Sequence, residues 1–397
     1  MLYRRYGKTD LQIPVFSCGG MRYQQSWKDG DPISDDNQKN LEATILKSLE
    51  VGINHIETAR GYGTSEVQLG KILPRLPREK MIIQTKVAPH ADPKEFHKTF
   101  NTCMEKLQLE YVDLLSIHGI NNQECLDQSI RKGGCLDAAL EIKKSGRARH
   151  IGFSTHAYLP TITEAINDGR FEYINLHWYY IYPHNWPAIV AARSRDMGVF
   201  IISPNDKGGL LYKPSEKLKA LCDPLSPMVF NGLWCLVRPQ VHTLSCGAAR
   251  PSDFDEHLKT VDLLKLAPEK LTAILKPIEQ RLEAELEKTV GREWLDTWHV
   301  GLPDFSQVPG QVNVFEILRL RNYVKAFDMV EFGKMRYGLL GNGGHWFPGH
   351  KLDKLSGTKE ELRNALRFSP HIETIPDALE EAHGLMSGEE RKRQGSQ

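Results

Sequence analysis

Four side chains of complementary acid–base character fall at or just beyond the ends of three apolar segments. Glu57 closes Gly52-Ile53-Asn54-His55-Ile56-Glu57, and Tyr62 follows in Arg60-Gly61-Tyr62-Gly63. Lys86 ends Met81-Ile82-Ile83-Gln84-Thr85-Lys86, and His118 ends Val112-Asp113-Leu114-Leu115-Ser116-Ile117-His118. A phenol with an ordinary pKa near 10 is protonated at neutral pH and is a poor acid. A neighbouring ammonium favours the phenolate and lowers that pKa. A carboxylate beside the ammonium keeps it charged and in place, and a neutral imidazole can donate to a carbonyl oxygen. The set suits protonation of an oxygen while a hydride arrives at the attached carbon, which is carbonyl reduction. Each member also has a purely structural reading: an ion pair, a core histidine, a loop aromatic. Their convergence carries the expectation. His55 lies on the same face as Glu57, one layer deeper, and reads as core.

The elements that must hold these groups are short and regular. Eight apolar runs rich in Ile and Val occur at 15–21, 52–59, 81–87, 112–118, 150–154, 173–178, 199–204 and 241–246. Continuous apolar runs suit strands buried on both faces of a parallel sheet. Helical patterns lie between them at 37–49, 65–73, 93–107, 136–145, 159–167, 186–197 and 251–266. Gly146 and Gly198 stand where helix-ending glycines belong, and Pro74 blocks continuation past Leu73. Strand–helix alternation of this length fits an α/β fold, a closed (β/α)8 TIM barrel of roughly 250 residues. An open doubly wound sheet would carry G-x-G-x-x-G after its first strand, and no such motif is present. Before the barrel, segments 2–6 and 13–16 flank Gly7-Lys8-Thr9-Asp10 and read as an N-terminal β-hairpin plugging the barrel floor. Beyond about residue 270 the pattern is helical only, at 271–290, 315–336, 359–368 and 375–383. The expected organisation is a barrel over 1–270, a C-terminal all-helical domain over 271–386, and a polar, disordered tail over 387–397.

Bulk composition narrows the function classes. Lys+Arg is 51 and Asp+Glu 50, a formal charge of +1 that offers no electrostatic case for nucleic acid or an anionic membrane. No apolar stretch suits a signal peptide or a bilayer span. Seven scattered cysteines, none in C-x-x-C spacing, read as reduced thiols of a cytoplasmic protein and not as a zinc site.

The segment Gly-Ile-Asn-His-Ile-Glu-Thr-Ala followed by Gly-Tyr-Gly-Thr-Ser-Glu, together with Lys86, His118, Gly152-Phe153-Ser154-Thr155 and Ile202-Ser203-Pro204, resembles the aldo-keto reductase superfamily. The resemblance covers residues 1 to about 268. It implies Tyr62 as general acid, Lys86 and Glu57 as its tuners, and His118 as the group that orients an aldehyde or ketone. It also implies NADPH, less often NADH, bound without a Rossmann domain. The implied cofactor contacts are Met21, Arg22, Ser154, Thr155, Asn175, Ser203, Pro204, Gly247, Ala248, Arg250, Glu256 and His257. Arg250 would sit near the adenosine 2′-phosphate, where a guanidinium fork suits a phosphate and favours NADP. Four positions depart from the family pattern. Glu57 stands for Asp, Thr155 for Asn and Asn175 for Gln, and Ile202 for an aromatic that stacks on the nicotinamide. Aromatics after the sixth run, Trp178, Tyr179 and Tyr180 beside His177, and Trp27 after the first suggest an apolar or flat substrate.

The C-terminal region resembles a narrower branch in which a ferredoxin-like helical domain follows the barrel. There, two C-x-x-C-x-x-C-x-x-x-C-P runs hold two four-iron clusters. The matching stretches, 294–314 and 361–375, keep Val308-Pro309 and Ser369-Pro370 and so form a faint internal repeat, but no cysteine lies beyond Cys246. Such clusters need thiolates, so none is expected. The domain would be held instead by Trp294, Trp298, Phe305, Phe315, Tyr323, Phe327, Phe332, Tyr337 and Trp346. It would cover the barrel mouth or make a homodimer contact. Two other functions fit parts of the chain: a cofactor-binding sensor or scaffold with a weakened site, and a phosphate-handling barrel lyase or isomerase, which would not need the Tyr/Lys pair.

Overall fold

Eight parallel strands close on themselves in the computed structural model, which describes residues 1–388. An antiparallel pair, β1 (Tyr3–Arg5) and β2 (Gln12–Pro14), precedes them. The barrel follows as β3 (Phe16–Gly19), β4 (His55–Glu57), β5 (Ile82–Val87), β6 (Val112–His118), β7 (Ala148–Ser154), β8 (Tyr173–Leu176), β9 (Gly198–Ile201) and β10 (Thr243–Ser245). Strand β10 pairs with both β9 and β3, which completes the closure. All eight expected strands are present.

Side-chain alternation sets two interior layers. Along β4, β5 and β6 the lower layer is His55, Gln84 and Ser116, and the upper is Glu57, Lys86 and His118. The lower layer is a hydrogen-bonded belt. Ser17 Oγ lies 2.6 Å from His55 Nδ1, His55 Nε2 3.0 Å from Gln84 Oε1, and Gln84 Nε2 donates to Ser116 Oγ at 2.9 Å. Ser116 Oγ meets the Tyr173 hydroxyl at 2.9 Å. The belt satisfies buried polar groups that would otherwise be costly. His55 is thus a core residue, its pKa lowered to about 3 by burial.

The hairpin closes the barrel floor. Tyr6 and Ile13 pack with Ile82, Leu114, Tyr173 and Phe200 in one buried cluster. Gly198 has a different reason from the one expected. The helix before it, Trp186–Ser194, ends early, and the left-handed residue is Asp196, with φ 52°. Gly198 instead opens β9 beneath Tyr6, where a Cβ would come within 2.5 Å of the tyrosine ring.

Contacts divide the described residues into two compact units, one of residues 1–208 and 231–266, the other of 209–230 and 267–388. In the second unit the helix Glu216–Cys222 meets the long helix Pro268–Val290 through the Lys217–Glu285 ion pair at 2.7 Å. The helix expected over 315–336 is two, Val314–Phe327 and Val330–Gly338, because Asp328 takes a left-handed φ of 54° between them. Trp294, Trp298, Phe327, Phe332 and Tyr337 are buried here, while Phe305, Phe315, Tyr323 and Trp346 are only half-buried and Phe347 takes a core place. The tail expected to be disordered lies, from residue 389, outside the described residues. Among the described residues no helix is long and apolar enough to cross a membrane.

Candidate active site

Glu57 and Lys86 point inward from the carboxyl ends of β4 and β5, and both are almost wholly buried. The Lys86 ammonium contacts Glu57 Oε1 directly and donates to Thr58 O at 2.9 Å. It also lies 3.2 Å from the Tyr62 hydroxyl, whose own O–H points to Glu57 Oε1 at 3.4 Å. The extra methylene of glutamate therefore still brings a carboxylate onto the lysine and within reach of the phenol. Tyr62 is carried by the turn after β4, with its N–H bonded to Ala59 O. The His118 ring stands edge-on to Tyr62, with centroids 5.7 Å apart and planes at 82°. Gly61 lies beside this pair, and a Cβ there would meet His118 Cε1 at 3.8 Å. The structure thus brings all four residues of the expected set together.

The electrostatics correct one expectation. The ammonium was expected to pull the phenol toward neutrality, but burial dominates and holds Tyr62 above its ordinary value, with Arg22 opposing. Burial likewise pushes Lys86 well below the ordinary lysine range. At neutral pH Tyr62 therefore carries its proton, as a general acid must before it acts.

The loop after β3 lies against this group. Trp27 is edge-on to Tyr62 at 6.4 Å and is 56% exposed. Asp29 ties the loop to Arg60 and to Lys106, the latter at 2.8 Å.

The residues expected to hold a cofactor are more dispersed. Asn175 is fully buried on β8, and among the described residues both its amide nitrogen and its oxygen lack a hydrogen-bond partner. An orphaned amide of this kind matches a ligand with one donor and one acceptor, such as a carboxamide. Thr155 is already committed: its hydroxyl donates to Ile120 O at 2.7 Å and accepts from Ala157 N–H at 3.0 Å. Ser154 Oγ accepts from Gly119 N–H at 3.0 Å. Ser203 takes a left-handed φ of 53°, and Pro204 O accepts from Asn231 Nδ2 at 3.1 Å. Arg22 forms a buried 2.8 Å pair with Asp206, and Met21 beside it is half-buried. In the late loop Gly247 has φ 62°, Ala248 is buried, and the Arg250 side chain is half-exposed. Glu256 pairs with Lys259 at 2.6 Å. His257 is buried near Asn205 Nδ2 at 3.3 Å, with its pKa lowered to about 4 by burial.

A second polar cluster went unread in the sequence. Lys207 Nζ lies 3.2 Å from both His156 Nε2 and His177 Nε2, and the Tyr179 hydroxyl contacts His177 Nδ1 while lying 3.2 Å from Ile202 O. Since the Lys207 ammonium can only donate, His177 Nε2 accepts from it and the ring proton sits on Nδ1, which faces the Tyr179 hydroxyl and, at 3.3 Å, Ile202 O. The position of Lys207 just beyond Ser203-Pro204, in a strand-end loop, was the available signal.

Residues 16–186 match the family model described as Aldo/keto reductase family. Over 160 residues, 38% of this chain and 47% of the other, the sequence is 30% identical to L-galactose dehydrogenase of Arabidopsis thaliana. Over 173 residues, 40% of this chain and 46% of the other, it is 24% identical to L-glyceraldehyde 3-phosphate reductase of Escherichia coli K12. The chain spans about half the length, or less, of the curated relatives it matches. The fold is similar to that of the thermostable aldo-keto reductase Tm1743, with a TM-score of 0.59 at 22% identity, covering 70% of this chain and all of that one. It is also similar to aldo-keto reductase AKR11C1 from Bacillus halodurans, with a TM-score of 0.57 at 20% identity, covering 71% of this chain and 96% of that one. Over residues 16–186 the sequence is thus similar to the aldo-keto reductase family, and the barrel shares the fold of solved members of it.

Proposed function

We propose that this protein reduces an aldehyde or ketone to an alcohol with NADPH, and that Tyr62 is the general acid. The observation that carries the reading is the position of the Tyr62 hydroxyl, within 3.2 Å of Lys86 Nζ and 3.4 Å of Glu57 Oε1 at the carboxyl ends of adjacent barrel strands. NADPH, when bound, supplies the hydride that reaches the carbonyl carbon. His118 and the Tyr62 hydroxyl hold the carbonyl oxygen, and Tyr62 turns its proton from Glu57 toward that oxygen as negative charge develops there. The phenolate left behind faces the Lys86 ammonium, which Thr58 O and Glu57 keep in place. The buried, unpartnered amide of Asn175 suits the carboxamide of the nicotinamide, a role that Thr155, with its hydroxyl already bonded, is less free to play. The half-exposed Arg250 suits the 2′-phosphate.

Tyr62→Phe tests this directly. Loss of a positioned general acid should lower turnover by about 10²–10⁴-fold, while NADPH affinity, read by fluorescence quenching, stays within a few-fold. Turnover equal to that of the unsubstituted protein would end the mechanism as stated. A broad carbonyl screen that shows tight NADPH binding and no cofactor oxidation would favour a sensor role instead.

A further inference from the structure

The floor of the barrel, at the opposite end from Tyr62, holds a cavity of about 370 Å³ lined by Arg4, Arg5, Arg193, Val237, Pro239 and His242. That volume lies within the range of small-molecule sites, roughly 300–1,000 Å³. Three guanidinium groups on one cavity would repel one another unless their charge were met. Arg5 is met: it bonds Asp10 at 2.6 Å and spans both oxygens of Asp196 at 2.8 and 2.9 Å. Among the described residues Arg193 reaches only the already shared Asp196, at 3.5 Å. Arg4 is half-buried and bonds carbonyls, Leu236 O at 2.6 Å together with Val241 O and Arg238 O, and no carboxylate forms an ion pair with it among the described residues. These three bonds leave two of its five N–H groups. Three positive charges against two negative ones leave one unmet, on the Arg4 and Arg193 side.

His242 adds a neutral donor. Its Nδ1 accepts the Val199 N–H at 3.0 Å, so the ring proton sits on Nε2. Burial, then Arg4 and Arg193, lower its pKa to about 4, so the ring stays uncharged at neutral pH.

We infer that this cavity binds the anionic group, phosphate or carboxylate, of a small organic molecule, with Arg4, Arg193 and the His242 Nε2–H as its donors. An occupant would join β1, the end of the helix Trp186–Ser194 and the entry to β10. The site is separate from the proposed cofactor phosphate contact, since Arg250 follows the carboxyl end of β10 and His242 precedes its start.

The test uses the full chain titrated with inorganic phosphate and with phenyl phosphate by calorimetry, at ionic strength fixed with potassium chloride. Arg193→Gln, at an exposed helix end, is the deciding variant, because Arg4→Gln removes a half-buried group and endangers folding. Arg250→Ala is the control for phosphate held at the cofactor site. The expected result is saturable binding that is tighter for phenyl phosphate, survives Arg250→Ala, and weakens about five-fold or more in Arg193→Gln. Absence of saturable binding, or an isotherm that Arg193→Gln leaves unchanged, overturns the site. Phenyl phosphate binding no tighter than phosphate overturns the organic occupant.

Discussion

Lys86 and Glu57 meet inside the barrel with almost no access to water. Such a pair is weak evidence of stability, because desolvation offsets most of the attraction, but leaving one partner alone is costly, about 3–5 kcal/mol. This separates the chemical from the structural role of Glu57. Glu57→Gln strands a buried ammonium and should lower stability by roughly that amount, whereas Glu57→Gln combined with Lys86→Met removes both charges and should recover most of it. Activity should not follow. Both the double variant and Lys86→Met alone should lose turnover by about 10²-fold or more, because a phenolate has no cation to face. Urea unfolding beside initial rates measures the two quantities. A double variant as unstable as Glu57→Gln, or one that regains activity with stability, sinks the assignment. The four candidate site residues were legible because strand alternation puts Glu57, Lys86 and His118 on one inner face and the resemblance adds Tyr62 from the turn after β4. The direction of the tyrosine shift was not, because it depends on how deeply the phenol is buried. Asn175 was legible as a position, but its unpartnered amide shows only in the packed structure.

At the scale of elements, the floor of the barrel rests on one close approach. Tyr6 of the hairpin lies on Gly198, the first residue of β9. Gly198→Ala would put a methyl group 2.5 Å from the ring, and neither the ring nor the strand has room to retreat. We expect a loss of about 1–3 kcal/mol, read as a lower urea midpoint with an unchanged slope. Combining it with Tyr6→Leu should restore part of the loss. If Gly198→Ala is neutral, the hairpin does not hold the floor as described. The count and order of strands could be read from the apolar runs, but the reason for Gly198 could not, because Tyr6 is far from it in sequence. Two helices between β9 and β10 also escaped the sequence reading. Glu216–Cys222 spans only seven residues, too few to display a helical period. Pro227–Leu236 is almost entirely apolar and has no polar face to mark one.

At the scale of the whole molecule, the barrel unit stores neutral imidazoles where water cannot reach them. His55 is depressed to about 3, and His242 and His257 to about 4, each chiefly by burial. In the unfolded chain each would titrate near 6.5. Between the folded and unfolded values the unfolded chain binds more protons, so stability rises with pH across that window and falls as pH drops from about 6.5 toward 4. From pH 7 to 5.5 each imidazole should cost about 1 kcal/mol, so the three together should cost roughly 3–4 kcal/mol. Above pH 5.5 most carboxylates remain ionised and add little to this change. The measurement is urea unfolding at the two pH values, with His257→Gln as the diagnostic variant. Its own stability will be lower, since the Asn205 contact and the packing on Phe16 change. The contribution of these imidazoles to the pH dependence should nevertheless shrink by about a third, because one of the three depressed rings of the barrel unit no longer titrates. Stability that is flat over this range, or a variant with the full pH dependence, would mean that these rings stay solvated or paired when charged. The belt beneath the proposed catalytic layer, which depends on His55 remaining neutral, would then have to be drawn differently.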